Sequence, residues 1–138
     1  MAVVIQLQRV LQMIEARHME ALKGLGITSR QVAVLEAVAG MKDKPSHTDL
    51  MEVTAIDRST ISEIIQRLVR KGYVKRERSK DDRRAFEVHL TAEGKAALKA
   101  ALKAMKTVEA KGAGVPNIAG LAAAVQECLA DTVAVAAE

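Results

Sequence analysis

The chain has 138 residues, a formal net charge of +4 and one cysteine, Cys128. This length suits one domain, alone or with additional dimerisation helices. A chain of this size can bury a stable core without a disulfide or a structural metal. The single cysteine excludes an internal disulfide, and no Cys/His cluster has zinc-ligand spacing; this pattern suits a reducing cytoplasm, so we expect a cytoplasmic protein without a metal or cofactor. No secretory signal and no apolar run long enough to span a membrane is recognised.

Positive charge is concentrated in one segment of the chain. Residues 67–84 include nine Lys or Arg and three Asp or Glu, a net +6, whereas residues 117–138 carry three acids and no Lys or Arg. Concentrated positive charge favours a polyanionic partner such as nucleic acid, although many basic segments are only solvated.

The first predicted elements are two helices. Apolar residues recur with a helical period over residues 3–22, and Gly24 and Gly26 then end the helix. Thr28 and Gln31 have the spacing of a capping box, which predicts a second helix ending near Gly40.

A helix-turn-helix follows a polar connection over residues 41–45. Ser46 is a good N-cap for a short helix to about Val53, and residues 54–56 leave room only for a tight turn. Asp57 then begins a helix to Lys71, which Gly72 ends in a left-handed conformation. Its apolar residues follow one helical stripe: Ile61, Ile64, Ile65, Leu68 and Val69.

Two strands and two helices complete the chain. Residues 73–78 and 86–90 alternate as strands around a charged stretch, which predicts a hairpin with an exposed tip. Thr91 caps a long Ala/Lys helix, and a final helix begins near Asn117 after Gly112, Gly114 and Pro116.

The second helix of a helix-turn-helix reads the major groove of DNA, and this one has a suitable outward face. Hydroxyls near its N-terminus suit phosphates, whereas Gln and Arg have the bidentate geometry that reads adenine and guanine. The outward residues are Arg58, Ser59, Ser62, Glu63, Gln66 and Arg70.

The hairpin tip offers a second contact to DNA. Lys80, Arg83 and Arg84 lie in the charged stretch, and an arginine here could enter the narrow minor groove. Asp82 would repel phosphate, so it makes more sense as an acceptor that orients an arginine.

These segments together resemble the MarR family of bacterial regulators over residues 28–98, about half of the chain. The matching segments are ITSRQVAVLEAV and DLMEVTAIDRSTISEIIQRLVRKGYVKRERSKDDRRAFEVHLTAEGKAAL. The recognition helix, the Gly72 turn, the D-x-R wing and the L-T-x-x-G helix start occur in the family's order.

The resemblance implies roles for particular residues. Asp82 would orient Arg84 in the minor groove, and Ser59, Thr60 and Ser62 would contact phosphates and bases. It also implies a homodimer joined by the first and last helices.

The resulting expectation is a mainly α fold with a small β-hairpin wing (α+β). Residues 27–90 would form a winged helix-turn-helix domain, between a dimerisation helix at 1–26 and a long connecting helix with a final dimerisation helix at 91–138. The expected function is a sequence-specific double-stranded DNA-binding regulator, a repressor on a pseudo-palindromic operator. The alternative is a protein-interaction or architectural module without operator specificity; no catalytic pairing or phosphate-binding glycine loop favours an enzyme.

The cysteine, the histidines and the methionines carry weaker functional signals. We expect Cys128 to be a buried structural thiol, and His18, His47 and His89 to be surface or hydrogen-bonded residues. Whether the protein binds a small-molecule effector is left open by the sequence. Only one Phe and one Tyr are present, which disfavours an aromatic pocket, and Met13 and Met19 suit a binding cleft or a core equally well.

Overall fold

The structure, a computed structural model, describes residues 1–81 and 85–137. Six α-helices and one antiparallel hairpin make up this part of the chain, in the order α1 Val3–Leu22, α2 Ser29–Gly40, α3 His47–Thr54, α4 Arg58–Arg70, β1 Val74–Arg78, β2 Phe86–Leu90, α5 Ala92–Ala110 and α6 Ile118–Ala137. The mainly α fold with a β-hairpin wing is therefore confirmed. The division into three segments at residues 26 and 90 stays a prediction.

Side-chain caps determine where the middle helices begin. Thr28 and Gln31 form the predicted capping box at α2, and Ser46 and Asp49 form a second one at α3. Thr91 caps α5 by accepting from the Gly94 N–H at 3.0 Å. Each cap satisfies backbone N–H groups that the first helical turn leaves without an internal partner.

The core lies where α2, α3, α4 and the hairpin meet α5. Its members are apolar residues from every one of these elements: Val32, Leu35, Leu50, Ile61, Ile65, Leu68, Val74, Val88 and Leu98. Burying one such side chain contributes about 1.5–3 kcal/mol to stability. Packing against this core therefore fixes α4 in place with its polar face directed outward.

The hairpin is joined to the segment that precedes α3. Strands β1 and β2 pair in register from Val74 opposite Leu90 to Arg78 opposite Phe86. Beyond this, the Val88 N–H donates to the Pro45 carbonyl at 3.1 Å, and Ser46 forms an isolated bridge with Glu87. The Lys44 ammonium lies 2.7 Å from a Glu77 carboxylate oxygen. The sequence pattern predicted two strands and missed this third pairing.

The outer helices leave apolar side chains uncovered. On α1, Leu7 and Leu11 are each 52% exposed, and on α6 Leu129 is 61% exposed. The last buried side chain of α1 before the turn is Leu22, which reaches the core. None of the helices in the described part of the chain combines the length and hydropathy needed to cross a membrane.

One expectation about a single side chain is wrong. Cys128 is exposed in the single chain, because α6 presents that face to solvent instead of a core. His18 is buried and not at the surface, and its Nε2 lies 3.3 Å from Glu109 Oε1 on α5. Among the described residues, His47 Nε2 and His89 Nδ1 are buried without a hydrogen-bond partner.

Candidate nucleic-acid interface

A tight turn sets the angle between α3 and α4. Ala55 adopts a left-handed conformation with φ of 56°, and its N–H donates to the Met51 carbonyl at 2.9 Å. The Ile56 N–H donates to the Thr54 hydroxyl, which itself donates to the Leu50 carbonyl. These bonds hold the turn in one conformation, so α4 leaves it in a defined direction.

The fourth helix is strongly amphipathic, as its sequence predicts. Ile61, Ile64, Ile65 and Leu68 are buried on its inner face. The predicted site residues lie on the other face, where Thr60 and Ser62 are half-buried and the rest are exposed: Arg58, Ser59, Glu63, Gln66 and Arg70. The structure therefore presents all seven α4 residues of the predicted site on one outward surface.

Asp57, at the N-cap of α4, accepts three hydrogen bonds. The Thr60 N–H and the Ser59 hydroxyl donate to Oδ1 at 2.9 and 2.7 Å, and the Thr60 hydroxyl donates to Oδ2 at 2.7 Å. The Thr60 hydroxyl and N–H, followed by the Ser59 hydroxyl, hold the pKa of this carboxyl well below its ordinary value. Asp57 is therefore ionised at neutral pH and can only accept hydrogen bonds.

Other side chains of the outward face have partners within the protein. An Arg58 guanidinium nitrogen donates to the Thr48 hydroxyl at 3.0 Å, and Arg67 pairs with Glu63 at 2.8 Å. Thr48 on α3 therefore positions Arg58. Sequence reasoning missed Thr48, because a contact between neighbouring helices follows no spacing rule along the chain.

His47 lies beside the half-buried part of this face. Its Nδ1 is 3.4 Å from the Ser62 hydroxyl. Burial, followed by the charges of Arg76 and Arg58, lowers the pKa of His47 below its ordinary value. The ring is therefore neutral near pH 7, and it contacts a predicted DNA-binding residue although the sequence pattern did not select it.

The hairpin adds basic side chains next to α4. The guanidinium carbons of Arg76 and Arg78 lie 4.7 and 5.6 Å from the centre of the Phe86 ring. Lys80 is exposed at the start of the tip. The predicted wing residues Asp82, Arg83 and Arg84 lie outside the described residues, so their roles stay predictions.

Comparison with known proteins decides the family. Residues 25–85 match the model of the MarR family. The transcriptional regulator HosA of Escherichia coli is 36% identical over 99 residues, which cover 70% of each chain. This protein belongs to the MarR family. The resemblance stated from the residues alone is thereby confirmed.

Solved structures share this MarR fold over nearly the whole chain. BpsR of Bordetella bronchiseptica has a TM-score of 0.80 at 25% identity, and the match covers 95% of this chain and 93% of that one. DNA binding by BpsR is regulated by 6-hydroxynicotinic acid. The repressor CouR, bound to a 23-mer DNA duplex, has a TM-score of 0.77 at 21% identity, covering 99% and 93%. The fold and the relatives are those of DNA-binding transcriptional regulators and not of enzymes.

Proposed function

We propose that this MarR protein is a sequence-specific repressor that binds a pseudo-palindromic operator as a homodimer. The observation that carries the proposal is the outward face of α4, which combines hydroxyl, amide and guanidinium groups above a rigid apolar core. In this arrangement α4 enters the major groove, and the hairpin tip reaches the adjacent minor groove. Binding by the repressor CouR to a DNA duplex supports the same use of the fold here.

The basic residues around α4 support contact with the phosphate backbone. Arg58 and Arg70 lie at the two ends of the helix, and Lys75, Arg76 and Arg78 are exposed on β1. Each phosphate neutralised by such a residue releases counterions, so affinity should fall steeply as salt rises. This dependence separates DNA binding from a protein-interaction function.

The uncovered apolar faces of α1 and α6 support the homodimer. Val3, Ile5 and Leu7 on α1 and Val125 and Leu129 on α6 are all at least 45% exposed in the single chain. Exposed apolar residues on two helices are typical of surfaces that a partner chain covers. A two-fold dimer would place two copies of α4 on successive half-sites of the operator.

A cavity supports regulation by a small-molecule effector. It measures about 650 Å³ and lies between the end of α2, β2 and α5. Its lining includes the apolar residues Val38, Val88 and Leu98 and the basic residues Lys42, Lys95 and Lys99. We propose that it binds a small organic acid. The compound that regulates DNA binding by BpsR, 6-hydroxynicotinic acid, belongs to this class.

The effector site can be tested with charge reversals on α5. Lys95→Glu and Lys99→Glu should leave DNA affinity within about twofold and prevent release of DNA by 6-hydroxynicotinic acid and related organic acids. Lys103→Glu is the matched control, because Lys103 is exposed on the same helix but does not line the cavity. Release that stays normal in both variants would exclude this cavity.

The first experiment on DNA binding is a titration of the purified protein against fragments from around its own gene at several salt concentrations. Tight binding to one fragment, lost steeply with salt, would support a sequence-specific regulator. Transcription from that fragment should then fall when the protein is added, as repression requires. Weak, equal binding to every fragment would favour the architectural alternative, and no binding at low salt would favour the protein-interaction alternative.

The wing is tested by Arg84→Ala. The variant should weaken specific binding by about 1–3 kcal/mol, because a minor-groove arginine contributes to sequence recognition. Lys106→Ala on α5 is a suitable control, since it removes one exposed charge away from α4 and the hairpin. Unchanged affinity in Arg84→Ala would remove the wing from the mechanism.

A further inference from the structure

The hydroxyl groups at the front of α4 are oriented by Asp57. The Ser59 and Thr60 hydroxyls both donate to this carboxylate at 2.7 Å, one to each oxygen. A hydroxyl has a single hydrogen to donate and two lone pairs that accept. While these bonds persist, each hydroxyl offers only lone pairs to any other partner.

This polarity decides what the hydroxyls can bind on DNA. Phosphate oxygens only accept hydrogen bonds, so a hydroxyl whose hydrogen is already donated to Asp57 has no hydrogen for them. In the major groove the hydrogen-bond donors are the N4 amino group of cytosine and the N6 amino group of adenine. The sequence-based expectation of phosphate contacts by Ser59 and Thr60 would require these two bonds to break.

We propose that Asp57 is a positioning residue that sets Ser59 as a hydrogen-bond acceptor for the exocyclic amino group of a cytosine or adenine. Ser59 is exposed on the outward face, whereas Thr60 is half-buried behind it, so Ser59 is the hydroxyl that reaches the base. The inference rests on the proposed entry of α4 into the major groove. It adds a rule of base preference to that proposal.

The negative charge of Asp57 is unfavourable for DNA binding, and capping α4 does not by itself require a charged residue. The carboxylate is exposed and, with α4 in the major groove, would lie near the flanking phosphates, which would repel it. Asparagine and serine cap helices about as well as aspartate does. The acceptor-only chemistry of the carboxylate is what asparagine and serine lack, because neither can accept all three of these hydrogen bonds.

The sharpest test is Asp57→Gly in the full-length protein. Glycine is a tolerated helix N-cap, and it removes both carboxylate oxygens, so the Ser59 hydroxyl is free to donate its hydrogen outward. Both proteins are used to select from a library of randomised DNA duplexes, and the selected sites are then titrated. Thermal unfolding of both proteins checks that the fold is retained.

The expected result is a change at one base pair in each half-site. Preference for cytosine or adenine at that pair should shift toward guanine or thymine by about threefold to tenfold, the size of one net hydrogen bond. Ser59→Ala should abolish the preference at the same pair, and Asp57→Gly should change nothing further in the Ser59→Ala background. Loss of the negative charge alone raises affinity for all duplexes equally, so it does not imitate this result.

Other outcomes overturn the inference in distinguishable ways. A uniform rise in affinity with the same base preference at every pair would leave Asp57 as a helix cap only. Selection of no sequence by the wild-type protein would refute the proposed function and the inference together. If Asp57→Gly unfolds, Asp57→Ser keeps a cap and should weaken the preference at that one pair; an unchanged preference would refute the inference.

Discussion

At the scale of single residues, His47 connects proton binding to the stability of the proposed DNA-binding surface. Its ring lies between α3 and α4, 3.4 Å from the Ser62 hydroxyl. Burial and two nearby arginines, Arg76 and Arg58, lower its pKa. A protonated ring is therefore disfavoured in the folded protein and not in the unfolded chain.

The pH dependence of stability follows from this shift. Because the pKa of His47 is lower in the folded state, its contribution to stability is complete above the ordinary value near 6.5 and is lost as pH falls through the folded value. The free energy of unfolding should therefore decrease from about pH 7 to about pH 5. Urea denaturation at several pH values measures it.

His47→Gln is the variant that tests this assignment. Glutamine keeps a polar side chain that cannot be protonated, so the slope of unfolding free energy against pH should become shallower in this range. An identical slope in the variant and the wild-type protein would assign the pH dependence to other groups.

At the scale of elements, the beginning of α5 packs directly on the residue that opens the hairpin. A Cβ at Gly94 would overlap the Tyr73 carbonyl, which also accepts from the Thr91 N–H at 3.0 Å. The Thr91 hydroxyl donates to the Gly72 carbonyl at 2.6 Å. Contacts between backbone atoms therefore hold α5 to the turn after α4.

Gly94→Ala should loosen this joint. Backbone cannot move aside as a flexible side chain can, so we expect a loss of about 1–3 kcal/mol or more in unfolding free energy. Gly40→Ala at the end of α2 is the control, because nothing lies within 4 Å of its Cβ position. That variant should change stability by less than about 1 kcal/mol. Equal effects of the two variants in chemical denaturation would contradict the packing argument.

The elements themselves could be predicted because their signals are local. Thr28, Ser46 and Asp57 begin helices with their own side chains, and the apolar stripe of α4 follows from its spacing. The pairing of Pro45 with Val88 could not be predicted, because it joins backbone groups 43 residues apart without a characteristic side chain. The exposure of the polar face of α4 follows from its spacing, but the hydrogen bonds within that face depend on rotamers that no pattern encodes.

At the scale of the whole molecule, the uncovered faces of α1 and α6 predict the assembly. Leu129→Glu should weaken self-association by at least about tenfold, because a carboxylate would be buried against apolar side chains of the partner chain. Sedimentation equilibrium measures the dissociation constant. Val53→Glu is the matched control, since Val53 on α3 is 59% exposed, close to the 61% of Leu129.

The result for the control decides how the dimer prediction is judged. Association should be unchanged in Val53→Glu and lost in Leu129→Glu. A wild-type protein that sediments as a monomer, or one whose association both variants leave intact, would contradict the proposed role of α6.

The joint between the hairpin and the segment before α3 has a consequence for operator geometry. Pro45 and Ser46 are bonded to β2, and Lys44 is paired with β1 through Glu77. In the proposed complex with DNA, α4 and the two strands of the hairpin would therefore move as one body. The distance between the contacts of α4 and those of the hairpin within one half-site would then be fixed. Any tolerance for the number of base pairs between half-sites would have to come from bending or rotation where the two subunits of the proposed dimer join.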